Sequence, residues 1–315
     1  LSVKVIKSFP DLNDFNYNYK AWNRQFDQQN IILNGRYSNL YYPSHWTPLS
    51  LKFAFGGYEH YILGNMKYGV GNGSYLILNR DTVYESLIDS DSPVETLTLN
   101  FTSEFVDDVF YSSFNSDEYL LDYPELRDRY PVNFFQKLYK KDNVIDLYLN
   151  RLRKKINHSY TDPNRLNEIL HGVLEHAFNT QLSASGEVER IVSKKRSTRI
   201  ELFNRLNRAK DYIRSNYSEQ IDLQKLSTIA CLCPHHFLRK FKSFFRVSPH
   251  QYLTTIRLEM AKDMIESSIL SITEICLSSG YESLSSFSDL FKKRYGSSPE
   301  NYRKKHLKKV NFQTI

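Results

Sequence analysis

At 315 residues the chain is long enough for two domains, each with its own core, and it carries a formal net charge of +7. Residues 201–315 hold 19 Lys and Arg against 11 Asp and Glu, whereas residues 1–200 hold 23 against 24, so the basic excess belongs to the C-terminal third and fits a polyanionic partner. No apolar run reaches the roughly 18 residues of a membrane span, Lys4 and Lys7 lead into polar and acidic residues rather than a signal-peptide core, and the three cysteines exclude a disulfide framework. A cytoplasmic protein with no membrane partner is the expectation.

Residues 1–104 are rich in Tyr and Phe and are punctuated by turn signals. Short runs with partial alternation cover Ser50–Phe55, Tyr58–Leu63, Ser74–Leu78, Val83–Ile88 and Val94–Phe101. Gly56-Gly57, Gly64-Asn65, Gly71-Asn72-Gly73 and Asp89–Pro93 separate them. Many short strands joined by tight turns predict an all-β barrel or sandwich. From about Ser103 the period changes to that of helices. Ile145, Tyr148, Leu149 and Leu152 form one stripe. A second helix, capped at Asp162-Pro163-Asn164, carries Leu166, Ile169, Leu170, Val173, Leu174 and Ala177. Such stripes pack either on the chain's own strands or on a second copy, and the sequence leaves both open. Residues 181–199 are polar and basic and read as an interdomain linker, partly helical.

The remainder is helical. Ile200, Phe203, Leu206, Ala209 and Ile213 mark one helix, and Asp222 caps another that runs to about Ala230. Ser248-Pro249 opens a long helix to about Ser267, with Pro in its favoured first turn. Ser271 and Ser283 cap the next two helices, Gly296 ends the second of them, and Ser298-Pro299 opens a last one.

Within this region one pattern is written twice. Phe237, Phe241, Lys242, Phe245, Ser248, Pro249 and Tyr252 are answered fifty residues later by Phe287, Phe291, Lys292, Tyr295, Ser298, Pro299 and Tyr302. Leu226, Cys231 and Leu232 are answered at forty-nine by Ile275, Gly280 and Tyr281, which places a one-residue indel in the turn before each second helix. Two copies are too few for a solenoid. A short helix, a tight turn and a second helix ending in basic residues predict a double helix-turn-helix and hence DNA binding.

A reading helix needs one face for its own core and one for the groove. With Phe237 and Phe241 holding the first such helix, His235, Leu238, Arg239 and Lys242 face outward. Arg239 suits a bidentate contact to guanine and Lys242 a phosphate. With Phe287 and Phe291 holding the second, Leu284, Ser285, Ser286 and Asp289 are free to meet bases, and Lys292, Lys293 and Arg294 supply charge for phosphates. The connecting helix of 19 residues spans roughly 28 Å at about 1.5 Å per residue, against about 34 Å between successive major grooves.

The stretches Ala230–Lys242, Gly280–Lys293 and Gly296–Arg303 closely resemble the DNA-binding domain of AraC/XylS-type transcription regulators. The resemblance covers about residues 200–305 and implies two helix-turn-helix units joined by a long helix. It implies base contacts from His235, Leu238 and Arg239 in the first unit, and from Leu284, Ser285, Ser286 and Asp289 in the second. Two positions depart from the family pattern: Cys231 stands where Gly is frequent, and Asp289 where some members carry Arg. Asp289 suits acceptance from cytosine or pairing with a neighbouring cation.

For residues 1–104 the resemblance implies a cupin-like barrel that binds an effector, for 105–180 a dimerising helical segment, for 181–199 the linker and for 200–308 the double helix-turn-helix domain. The expected fold is therefore α+β in two domains. The expected partners are operator DNA, a small-molecule effector, a second copy of the chain and RNA polymerase. Tyr61, Tyr68 and Tyr75 are candidates for the effector pocket, although such rings equally serve as plain core.

Sharper chemistry finds little support. Cys231-x-Cys233-x-His235-His236 offers zinc-type ligands, but its cysteine spacing is short and no second ligand pair follows, so buried small cysteines in a turn and a DNA-facing His are expected instead. His45 and His60 stand too far apart for a metal-binding cupin triad. No phosphate loop or nucleophile elbow is present, so neither an enzyme nor a bound cofactor is expected. The alternative of a different class is a constitutive or architectural DNA-binding protein whose N-terminal domain only dimerises.

Overall fold

The computed structural model describes residues 2–10, 18–114, 133–157, 162–267 and 269–312. The chain divides into two units, Leu1–Ile200 and Glu201–Ile315.

The first unit is built on a sheet whose strand order is β1 (Val3–Ile6), β2 (Asn30–Thr47), β7 (Thr82–Phe101), β3 (Leu49–Phe55), β6 (Ser74–Leu78) and β8 (Leu138–Lys140). A hairpin of β4 (Glu59–Leu63) and β5 (Met66–Val70) joins through β4, which pairs with the first half of β7. All pairings are antiparallel except β1 with β2. The helices of this unit are α1 (Tyr19–Gln28), α2 (Ser103–Phe114), α3 (Asn143–Ile156) and α4 (Pro163–Glu189).

Period-two alternation sends side chains to two separate cores. Leu51, Phe53, Tyr75, Ile77, Leu97, Leu99 and Phe101 pack with Ile145, Leu149 and Leu152 of α3 and Leu166, Leu170, Val173 and Leu174 of α4. The helical stripes thus lie on the chain's own sheet. Ala54, Leu76, Leu78, Ile88 and Val94 occupy the other face with Tyr61 and Tyr68 of the hairpin. The helices approach closely at Gly172, where a Cβ would stand 2.5 Å from the Tyr148 ring. α3 is tied to the sheet by Arg153, whose Nε and Nη2 donate to the two Glu95 carboxylate oxygens at 2.9 and 2.5 Å.

Several expectations change here. Val83–Ile88 and Val94–Phe101 are one strand, β7, of 20 residues, paired on both sides of a register shift with an 18-residue β2 that the sequence did not disclose. The turn-like residues 89–93 mark a register shift opposite Tyr37 and Asn39, a bulge rather than a reversal. α1 was unexpected. A strand, β8, falls inside the segment read as purely helical, because Tyr139 and Leu138 complete the two cores from the edge of β6. Part of the 105–180 segment lies outside the described residues. The polar 181–199 segment is largely helix: α4 reaches Glu189 and α5 (Arg196–Ser215) begins six residues after Arg190, the C-cap of α4. No helix among the described residues is long and apolar enough to cross a membrane.

The second unit is all helical and comprises the rest of α5 followed by α6 (Leu223–Ile229), α7 (Pro234–Phe245), α8 (Pro249–Ser267), α9 (Ile272–Ser278), α10 (Leu284–Tyr295) and α11 (Pro299–Phe312). α5 buries Phe203, Leu206, Ala209 and Ile213, the stripe expected from its periodicity. α8 contributes Leu258, Ala261 and Ile265 to the core that also holds Ile275, Phe287 and Phe291.

Candidate nucleic-acid interface

Each half of the second unit starts from a capped short helix. The Asp222 carboxylate accepts from Lys225 N at the start of α6. At α9, Ser271 and Glu274 form a reciprocal capping box. Both short helices then end in the same hydrogen-bond pattern. In the first, Leu232 N donates to Ser227 O at 3.0 Å and Cys231 N to Thr228 O at 3.0 Å. In the second, Tyr281 N donates to Cys276 O at 3.1 Å and Gly280 N to Leu277 O at 2.9 Å. This Schellman arrangement forces a left-handed residue, Cys231 at φ +51° and Gly280 at φ +80°. The second turn is one residue longer before its reading helix, where the indel was expected.

The aromatic anchors repeat with the turns. Phe237 and Phe241 are fully buried, as are Phe287 and Phe291. Phe241 lies 5.4 Å from Phe237, 4.6 Å from Phe245 and 6.2 Å from Tyr252, centroid to centroid. Phe291 lies 5.7, 4.6 and 5.6 Å from Phe287, Tyr295 and Tyr302. Fixing the apolar face this way fixes the opposite face. On α7, His235, Leu238, Arg239 and Lys242 are exposed and line one shallow groove with Ser243 and Arg246. On α10, Leu284, Ser285, Ser286, Asp289, Lys292, Lys293 and Arg294 are exposed. A second groove joins Lys292 to Ser297, Ser298 and Asn301 at the start of α11 and to Lys304 and Lys305.

Arg257 of α8 stitches the two halves together. Its Nε donates to Tyr217 O at 2.8 Å and its Nη2 to Glu219 O at 2.9 Å, in the loop before α6, while its guanidinium stands 5.6 Å from the Tyr281 ring in the second turn. The connector is thereby fastened to the loop before α6 in the first half and to the turn before α10 in the second.

Residues 226–305 match the model of a helix-turn-helix domain. Over 93 residues the chain is 34% identical to the probable transcriptional regulator LumQ of Photobacterium leiognathi, covering 30% of this chain and 38% of that one. Over 138 residues it is 30% identical to an uncharacterized HTH-type transcriptional regulator of Haemophilus influenzae, covering 44% and 43%. The solved DNA-binding domain of AdpA in complex with a target DNA is 29% identical, with a TM-score of 0.31, covering 32% of this chain and 91% of that one. Residues 226–305 are thus a helix-turn-helix domain of the kind carried by transcription regulators. The match spans about two-fifths of the length of these two curated relatives, 38% and 43%. They are named as transcription regulators, not as enzymes.

In this helix-turn-helix domain Cys231 and Cys233 are exposed, and Cys276 is buried. The expectation of buried cysteines in the first turn is thereby corrected: Cys231 projects from a left-handed corner, and Cys233 is an N-cap, outside the core. The sequence did not single out Ser243, Arg246, Lys304 or Lys305, which also line these grooves. In the first unit, Tyr61, Tyr68 and Tyr75 are each 1% exposed. Tyr75 stacks between Phe53 and Tyr139, and Tyr61 and Tyr68 pack in the hairpin core. None of the three lines the cavity bounded by Trp22, Trp46 and Tyr84.

Proposed function

We propose that the chain is a sequence-specific, ligand-responsive transcription regulator that acts in the cytoplasm. The observation that carries this reading is the repeated aromatic clamp. It sets an exposed, cation-bearing helix face on each side of one connector, in a domain type found in transcription regulators. His235, Leu238 and Arg239 of α7 and Leu284, Ser285, Ser286 and Asp289 of α10 meet base edges. Lys242, Lys292, Lys293 and Arg294 meet phosphates. A dimer places up to four such helices on two half-sites and offers a surface to RNA polymerase. The sheet-bearing unit, a cupin-like barrel in this reading, binds the effector. Selection of bound duplexes from a random pool tests it: a defined motif of one to two helical turns is expected. Recovery of sequence-unrelated duplexes at equal affinity would leave only an architectural binder.

A further inference from the structure

The two tryptophans of the chain, Trp22 and Trp46, both line a cavity of about 300 Å³ in the first unit. Its walls come from α1, from Phe9, from Leu33 and the second half of β2, from Pro48, and from Tyr84 and Asn100 of β7. One side is a chain of rings: Phe9 to Tyr42 at 5.1 Å, Tyr42 to His45 at 4.8 Å, His45 to Tyr84 at 4.2 Å. The other is Trp22, Phe26 and Trp46, in edge contacts of 5.7 and 6.4 Å. Among the described residues no Lys, Arg, Asp or Glu lines it.

Beside Asn23, Ser44, Thr47 and Asn100, the wall carries one imidazole, that of His45. His45 Nδ1 lies 2.7 Å from the Pro43 carbonyl, which can only accept, so Nδ1 carries the proton. Burial holds the ring neutral, with its pKa pushed down to about 4. Nε2 is then a bare acceptor with no partner among the described residues. Directly behind the wall the buried Lys52 amine donates to the Tyr84 hydroxyl at 2.7 Å. Burial lowers the Lys52 pKa and raises that of its neighbour Glu59, so the pair adds no net charge that an ionised ligand could use.

We propose that this cavity is the effector site and that it takes an uncharged aromatic molecule with a hydroxyl or N–H donor, of the phenol or indole class, stacked among the rings and hydrogen-bonded to His45 Nε2. The claim rests on the effector-responsive reading above and names the ligand class for it. The size suits one or two fused rings, and the ring walls suit a flat π-face.

Because Trp22 and Trp46 line the cavity and are the sole indoles, tryptophan fluorescence of the full chain reports on this site alone. Titration with para-propylphenol, para-propylanisole and para-propylbenzoate, excited at the red edge of the indole band, is the test. Saturable quenching by the phenol is expected, about tenfold tighter than by either analogue, the difference of roughly one hydrogen bond. His45→Phe should keep the ring wall and lower phenol affinity to that of the anisole while leaving anisole binding unchanged. The comparison of the three compounds on the unaltered chain stands even if that variant fails to fold. Equal binding of phenol and anisole would overturn the donor requirement, and tighter binding of the benzoate would overturn the uncharged class, each leaving an effector role intact. No quenching by any of the three would overturn the site. Phenol binding that leaves operator affinity unchanged would support the ligand class and sink the effector reading instead.

Discussion

Cys231 and Gly280 occupy the same place in two superimposable hydrogen-bonded turns, both left-handed, yet only one is a glycine. The same inequality recurs at the far end of each reading helix. Arg246 caps α7 at φ +63°, where Gly296 caps α10 at φ +76°. The first copy therefore holds two side chains in a conformation that costs each about 1 kcal/mol or more. Arg246 lies in the groove beside Arg239 and Lys242, so its strain places a cation there.

Cys231→Gly should stabilise the second unit by roughly 0.5–1 kcal/mol, the left-handed strain relieved less the added freedom of the unfolded chain. Gly280→Ala should cost about 2 kcal/mol or more, since a Cβ there would stand 2.9 Å from the Ser218 carbonyl oxygen and 3.0 Å from the Arg257 guanidinium. Urea denaturation of the full chain, followed by helical circular dichroism, measures both. Opposite signs are the expected result, and equal destabilisation would refute the equivalence of the turns.

Arg153→Ala should destabilise the first unit by about 2–4 kcal/mol. The Glu95 side chain is 8% exposed and would keep, among the described residues, Asn34 at 3.2 Å and Arg36 at 3.6 Å as partners. Burial by itself raises the Glu95 pKa, but the hydrogen bonds from Arg153 and Asn34 and the Arg153 charge hold it below the ordinary value. Losing the Arg153 contribution should move that carboxylate upward. Tryptophan-monitored urea unfolding reports on this unit, because both indoles lie in it.

DNA affinity should separate by residue class. Arg239→Ala should cost about 1–3 kcal/mol on a selected duplex and little on a shuffled one. Lys292→Ala should weaken both equally and reduce the slope of log affinity against log salt by about one. Fluorescence anisotropy across a salt series gives both quantities, and a shuffled duplex that loses as much as the selected one with Arg239→Ala would remove Arg239 from base reading.

Acidification should weaken the first unit. Burial lowers both His45 and His60 to about 4, from an unfolded value of 6.5. Lys52 adds repulsion at His45 and Lys67 at His60. Between these values the unfolded chain binds protons that the folded chain refuses, so stability falls as pH drops from 6.5 toward 4. Glu59, raised by burial to about 7, acts with the opposite sign between its ordinary 4.5 and 7 and offsets part of the loss. His60→Gln should flatten the decline by on the order of 1–3 kcal/mol at the acid end, read from urea midpoints across pH; an unchanged decline would exclude His60 as a contributor.

The sequence by itself determined the second unit almost completely. Its capping residues, the Pro249 start and the fifty-residue repeat of Phe237, Phe241 and Tyr252 follow local rules: helix periodicity, caps and turn glycines act within a few residues, so they are written in adjacent letters. The outward faces of α7 and α10 followed, because burying Phe241 and Phe291 leaves one side of each helix to solvent. Tertiary structure decided what depends on residues far apart in the chain. It set the long β2–β7 ladder, with a bulge where Asp89–Pro93 reads as a turn, because register is chosen by a partner strand some fifty residues away. It placed Tyr61, Tyr68 and Tyr75 in packed cores and gathered Phe9, Trp22, His45 and Tyr84 around a cavity instead. An aromatic residue reads the same in sequence whether it fills a core or lines a void. Only the packing of strands and helices around it determines which surface is left without a neighbour.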